Sequence, residues 1–119
     1  MNNSELQYQV FSYFHGVNGE RNTLKAIEIC KEIAADGDIY RLYELGTMYL
    51  SIVDVKNSIE YYKKGAEHGD NWAMVKLGSL YYAGYYVAKN FELAKYWYKL
   101  AADNGNTKAL FCLEGFLKT

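Results

Sequence analysis

One short text recurs along this chain, and recurrence at a fixed spacing restricts a fold strongly, because each copy must become the same structural unit. Leu45-Gly46 followed by Tyr49 returns 32 positions later as Leu77-Gly78 followed by Tyr81. Tyr61-Tyr62, Ala66 and Gly69 return 36 positions later as Trp97-Tyr98, Ala102 and Gly105. The difference of four residues falls between Leu50 and Asp54, where the earlier copy has the shorter connection. Upstream, Asn22, Ala26, Ala34 and Gly37 stand 68 positions before Asn90, Ala94, Ala102 and Gly105. Downstream, Ala109 and Leu113 echo Ala73 and Leu77 at an offset of 36. A single domain is expected, with units at about 4–37, 38–69 and 70–105 and a closing helix at 106–119.

Inside the copies the apolar period is that of a helix. Ala73, Leu77, Leu80 and Tyr81 fall at i, i+4, i+7 and i+8, on one face. Ala94, Trp97, Tyr98, Ala101 and Ala102 make a second stripe in which small residues alternate with large. Gly78 beside Leu77 lets another helix approach closely, and Ala102 is expected at such a contact. Asn22, Asp54 and Asn90 are placed to cap second helices at their N-termini, and Gly37, Gly69 and Gly105 to supply left-handed turns at their ends. Each unit therefore reads as two helices and a turn, the first helix of the chain spanning roughly 4–15. A single pair buries too little surface to be stable alone, so neighbouring pairs must stack.

Composition narrows the class further. The 119 residues are half hydrophobic and include 13 Tyr, 5 Phe and 2 Trp, far more apolar material than a disordered chain carries. Thirteen basic and 14 acidic residues leave a net charge of -1, so nothing in the balance drives binding to nucleic acid or to anionic lipid. No apolar run approaches the roughly 20 residues that span a bilayer. The start, Met1-Asn2-Asn3-Ser4-Glu5, lacks the charged and apolar regions of a secretory signal, and a cytoplasmic protein is expected. Cys30 and Cys112 lie 82 positions apart, outside any metal or disulfide pattern, and read as reduced thiols. Proline is absent and the ten glycines fall between or near the ends of the helix-period segments.

The run Ala73-x-x-x-Leu77-Gly78-x-x-Tyr81-x-x-Gly84, continued by Asn90, Ala94, Trp97-Tyr98, Ala101-Ala102 and Gly105, resembles the Sel1-like repeat, a relative of the tetratricopeptide repeat. The unit at 41–69 is similar with a shortened loop, and the unit at 4–37 departs most in its first helix. The resemblance implies an all-α, right-handed solenoid of stacked antiparallel helix pairs that works by binding other proteins. Three departures stand out. Arg41 occupies the place of the small Ala73, Glu114 that of Gly78, and Gln9 or Val10 the Leu-Gly site of the first unit. Secreted members with a cysteine pair in each repeat exist, and that pairing is missing here.

Catalytic patterns are not found. His15 and His68 lie at predicted helix ends without a nucleophile motif, and Glu28, Glu32, Glu60, Glu67 and Glu92 have the helical spacing of solvated faces. Neither a phosphate-cradling glycine loop nor a metal-ligand spacing occurs, so no enzyme, cofactor or metal is expected.

Function is then expected in a surface. Stacked pairs curve so that the first helices line a concave wall, and the family resemblance implies the same wall. Beside the core stripe runs a second one, Trp72, Val75, Ser79 and Tyr82, preceded 32 positions earlier by Tyr40, Tyr43, Thr47 and Leu50. In the closing helix the matching positions include Lys108, Phe111, Gly115 and Lys118. Aromatic anchors among small hydroxyls are what protein interfaces favour. The loop from Tyr82 to Val87, with Tyr85 and Tyr86, is a second contact candidate. The expected partner is another protein. It is either a bacterial toxin or effector, neutralised by an inhibitor or immunity protein, or a component of signalling or secretion, for which the chain is an adaptor. A self-associating module or a fragment of a longer Sel1 protein fits the same features, the fragment because the chain ends soon after the apolar Phe116 and Leu117.

Overall fold

The computed structural model describes residues 2–35 and 37–117, the Leu117 side chain excepted. Among these residues there are seven helices and no strand: α1 (Asn3–His15), α2 (Thr23–Ala35), α3 (Ile39–Ser51), α4 (Val55–Glu67), α5 (Asn71–Ala83), α6 (Phe91–Asp103) and α7 (Thr107–Leu117). The expected closing helix is α7, and Lys118 and Thr119 lie outside the described residues. The chain divides within α4 into two compact units, Met1–Tyr61 and Tyr62–Thr119.

Backbone groups at the helix ends are satisfied by the side chains expected to do so. The Oδ1 atoms of Asn22, Asp54 and Asn90 accept from the amides of Lys25, Asn57 and Leu93 at 3.0, 3.2 and 3.0 Å. The same three residues donate their own N–H groups to the carbonyls of Tyr13, Tyr49 and Tyr81 at 2.8, 2.9 and 2.9 Å, one identical clasp per hairpin. Gly37, Gly69 and Gly105 adopt φ of 94°, 94° and 92°, conformations that an L side chain resists. Sequence and hydrogen bonding therefore agree at every expected cap.

In the first unit, Ala26, Cys30 and Ile33 of α2 recur at helical spacing and meet Val10 of α1 and Leu45, Met48 and Tyr49 of α3 in one core. Val10, which stands where the third unit has Gly78, fills that place as a fully enclosed side chain. The buried Ser58 of α4 donates its hydroxyl to the Gly46 carbonyl at 2.7 Å, and Tyr61 stacks on Tyr49 with centroids 5.5 Å apart. Arg41, unexpected at a small-residue position, is held at both flanks: its guanidinium reaches Glu44 at 2.8 Å and Asp38 at 3.3 Å. It also lies 4.8 Å from the Tyr40 ring centroid.

In the second unit, α5 and α6 approach so closely at Gly78 that a Cβ there would lie 2.9 Å from the Tyr98 ring. The Tyr98 hydroxyl is 3.0 Å from Ser79 Oγ, which fixes the ring in place. Burial holds that phenol above its ordinary pKa, opposed by the Ser79 hydrogen bond. Asn106 caps α7 by accepting from Ala109 N–H at 2.9 Å and donates to Asn71 Oδ1 at 3.0 Å, fastening α7 to α5. One expectation is corrected here: Ala101, like Ala94, is fully buried, and Ala102 is half-buried. Ala101 lies seven residues from the buried Ala94, only about 20° around the helix, whereas Ala102 lies about 80° from Ala94 on the opposite side.

The shortened α3–α4 connection carries a strained residue. Val53 has φ of 60°, where the corresponding turns after α1 and α5 use Gly16 and Gly84. Its amide donates to the Leu50 carbonyl three residues back at 2.9 Å, whereas the Gly16 and Gly84 amides reach four residues back, to Ser12 and Leu80.

Candidate protein-binding face

In the first unit the expected stripe is graded in depth. Tyr40, in the first turn of α3, is 55% exposed, lies against Arg41 and has its ring centroid 6.1 Å from that of Tyr43. Tyr43, Thr47 and Leu50 are half-buried, and the Thr47 hydroxyl donates to the Tyr43 carbonyl at 3.2 Å. Solvent therefore meets mainly the ring of Tyr40, with the edges of the other three behind it.

In the second unit α5 presents Trp72 and Tyr82 at its two ends, 51% and 52% exposed. Trp72 is set in the first turn by Asp70, whose carboxylate accepts from the amides of Trp72 and Ala73 at 3.0 and 3.3 Å. Ser79 is half-buried and engaged with Tyr98. Val75 departs from the expectation: at 3% exposed it is part of the core and offers no side-chain surface to a partner. Helical spacing predicts one core stripe on α5, but Met74 and Val75 are buried together with Ala73, Leu77 and Leu80. A helix that is apolar nearly all round is one packed on more than one side. Phe111 of α7 is 78% exposed.

Around Tyr82 the structure gathers rings that spacing alone did not join. Tyr82 lies 5.6 Å from Phe91 of α6 and 5.6 Å, edge-on at 89°, from Phe116 of α7. Phe116 also meets Phe91 at 6.2 Å and Tyr98 at 6.1 Å. With Phe111, Cys112 and Gly115 these rings line a pocket of about 610 Å³. The sequence contained each aromatic residue, but Phe91 reads as the first residue after a cap. Phe116 meets Tyr82 only through the placement of α7, which no helical period encodes.

Cys30 is enclosed, its Sγ 3.5 Å from Glu44 Oε1 and 3.7 Å from the Arg41 carbonyl. Burial, reinforced by the Glu44 carboxylate, pushes its thiol far above the usual range, so it stays protonated. His68 Nδ1 lies 2.7 Å from the Lys64 carbonyl, and His15 lies against Phe11 at 4.5 Å. Among the described residues no cluster of His, Cys, Asp and Glu could hold a metal ion, and no helix is long and apolar enough to cross a membrane. The side chains of Tyr85 and Tyr86 are exposed on the α5–α6 loop.

The Sel1 repeat family model matches residues 4–38, 41–70 and 73–106. A Sel1 repeat protein from Oxalobacter formigenes, known from its crystal structure, is similar over 97% of this chain, at 27% identity and a TM-score of 0.76. A protective antigen present in uropathogenic Escherichia coli strains, displaying an SLR fold, is similar over 94% of this chain, at 28% identity and a TM-score of 0.72. This chain spans 49% of the first of those proteins and 25% of the second. Among curated proteins none matches. The fold is thus that of all-α helical-repeat solenoids, and no catalytic family is indicated.

Proposed function

This chain belongs to the Sel1 repeat family, whose repeats are protein-interaction modules, and from that premise we propose that its exposed aromatic side chains engage a partner protein. The observation that carries the reading is the exposure of large rings on first helices: Tyr40 in one unit, and Trp72, Tyr82 and Phe111 in the other. Aromatic side chains at interface centres contribute out of proportion to their number, typically about 2 kcal/mol or more on truncation. That corresponds to roughly a thirtyfold loss of affinity. The narrower form of the proposal is an inhibitor or immunity protein that occupies the surface of a bacterial toxin or effector in the cytoplasm. Inhibition by occupancy asks nothing of the module beyond such a face. An adaptor in signalling or secretion would use the same residues.

Affinity purification from the native host with mass spectrometry identifies the partner, and variants then test the face. Trp72→Ala and Tyr82→Ala should weaken capture while the helical circular dichroism signal is retained, and Glu92→Ala should leave capture unchanged. If Trp72→Ala is silent and Glu92 proves essential, the partner engages another surface. A captured protein that arrests growth and is neutralised on co-expression identifies an inhibitor. A captured protein without toxicity, bound together with others, identifies an adaptor. Association with a second copy alone, read by light scattering, would assign the face to self-assembly.

A further inference from the structure

Three lysines flank, along the chain, the residues that line the aromatic pocket of the second unit. Lys89, in the loop before α6, holds its ammonium 5.6 Å from the Phe91 ring centroid. Lys95 lies one turn beyond Phe91 and one turn before Tyr98 on α6, and Lys108 lies one turn before Phe111 and Cys112 on α7. Residues three and four apart share a helix face, so both lysines stand on the pocket side of their helices. Glu92 is turned about 100° from Phe91 around α6, and Glu114, about 100° from Gly115, reaches only the Phe111 edge, three residues away, so the lysines outnumber the carboxylates beside the lining residues. Among the described residues Lys25 and Lys99 each have an ion-pair partner, and Lys89, Lys95 and Lys108 have none.

Gly115 supplies an independent observation. Glycine weakens a helix relative to alanine, and packing explains it at Gly78, where a Cβ would meet the Tyr98 ring at 2.9 Å. A Cβ on Gly115 would meet nothing within 4 Å. Its missing side chain serves no internal contact and leaves the pocket wall open.

We propose that this pocket receives an aromatic side chain of the partner protein, presented on an acidic segment whose carboxylates face Lys89, Lys95 and Lys108. The proposal rests on the protein-binding reading above and names the chemistry of that partner. Charge of this arrangement steers an acidic segment and selects against a basic one, while a pocket of this size is ample for a single ring.

The test uses the full chain, labelled for amide NMR, with the blocked tripeptide Asp-Phe-Asp as probe. The peptides Lys-Phe-Lys and Asp-Ala-Asp and free decanoate serve as comparisons. Asp-Phe-Asp should shift the Cys112 and Gly115 amides saturably and bind at least about fivefold tighter than Lys-Phe-Lys, a difference that shrinks in high salt. Asp-Ala-Asp should not saturate. Gly115→Leu should abolish the response. Lys108→Glu should invert the preference toward Lys-Phe-Lys, an inversion that a folding defect cannot produce. Equal binding of the two phenylalanine peptides, saturable binding of Asp-Ala-Asp, or occupancy by decanoate alone overturns the proposal. If a captured partner depends on Trp72 while no peptide enters the pocket, only this assignment fails. If Asp-Phe-Asp binds but no protein partner exists, the protein-binding reading fails instead, and with it the assignment of this occupant.

Discussion

Two glycines inside helices provide a controlled experiment on packing. Gly78→Ala would place a carbon 2.9 Å from Cδ1 and Cε1 of Tyr98 and 3.1 Å from Cζ. Carbon atoms rest at about 3.5–4.0 Å, so the ring would have to retreat by roughly 0.6 Å or more. It has little room to do so, being buried, held to Ser79 at 3.0 Å and packed on Phe116. Overpacking of this kind costs about 1–3 kcal/mol, against about 1 kcal/mol gained by replacing a helical glycine with alanine. Gly78→Ala should therefore lower stability by about 0–2 kcal/mol. Gly115→Ala receives the helix term without the clash and should raise stability by up to about 1 kcal/mol, less if the helix end frays. Because the helix term is shared, the difference between the variants isolates the overpacking. Urea denaturation followed by far-UV circular dichroism measures it. In a double-mutant cycle, Gly78→Ala should cost markedly less in a Tyr98→Leu background than in the parent, because the ring it would strike is gone. Should Gly78→Ala prove as stable as Gly115→Ala, the close approach of α5 and α6 at Tyr98 would be refuted.

Val53→Gly should stabilise the chain by about 0.5–1 kcal/mol, because the left-handed conformation costs a β-branched residue about 1–2 kcal/mol and added freedom in the unfolded chain returns only part of it; an unchanged urea midpoint would show that the turn is not strained. Ala101→Glu should cost about 3 kcal/mol or more by burying an unpaired charge, whereas Ala102→Glu at the half-buried neighbour should cost markedly less. Thermal melts of the two variants decide the register of α6, and the opposite ranking would overturn it. A thiol reagent should label Cys112 and leave Cys30 untouched until denaturant is added, even in mildly alkaline buffer, because the raised pKa of Cys30 keeps its reactive thiolate negligible there. Intact mass spectrometry of the native protein reads the result, and rapid double labelling would contradict the enclosure of Cys30.

The repeated text determined a great deal by itself. Asn22, Asp54 and Asn90 cap helices, and Gly37, Gly69 and Gly105 turn the chain left-handed, because capping and backbone handedness are properties of a few adjacent residues. The all-α class and the enclosed Leu45 and Leu77 follow from a helical period that can be counted along the chain. Which side of each helix meets which neighbour is a different kind of fact. Val75 is buried, and Ala101 is enclosed more fully than Ala102, because a helix inside a stack is covered from several directions. Arg41 was legible as a departure but not as a solution, since the carboxylates of Asp38 and Glu44 and the ring of Tyr40 converge on it only in three dimensions. The pocket of Tyr82, Phe91 and Phe116 was likewise decided by tertiary structure alone: its rings come from three helices, and their meeting depends on how α7 is set against α5 and α6, a distance that no local period carries.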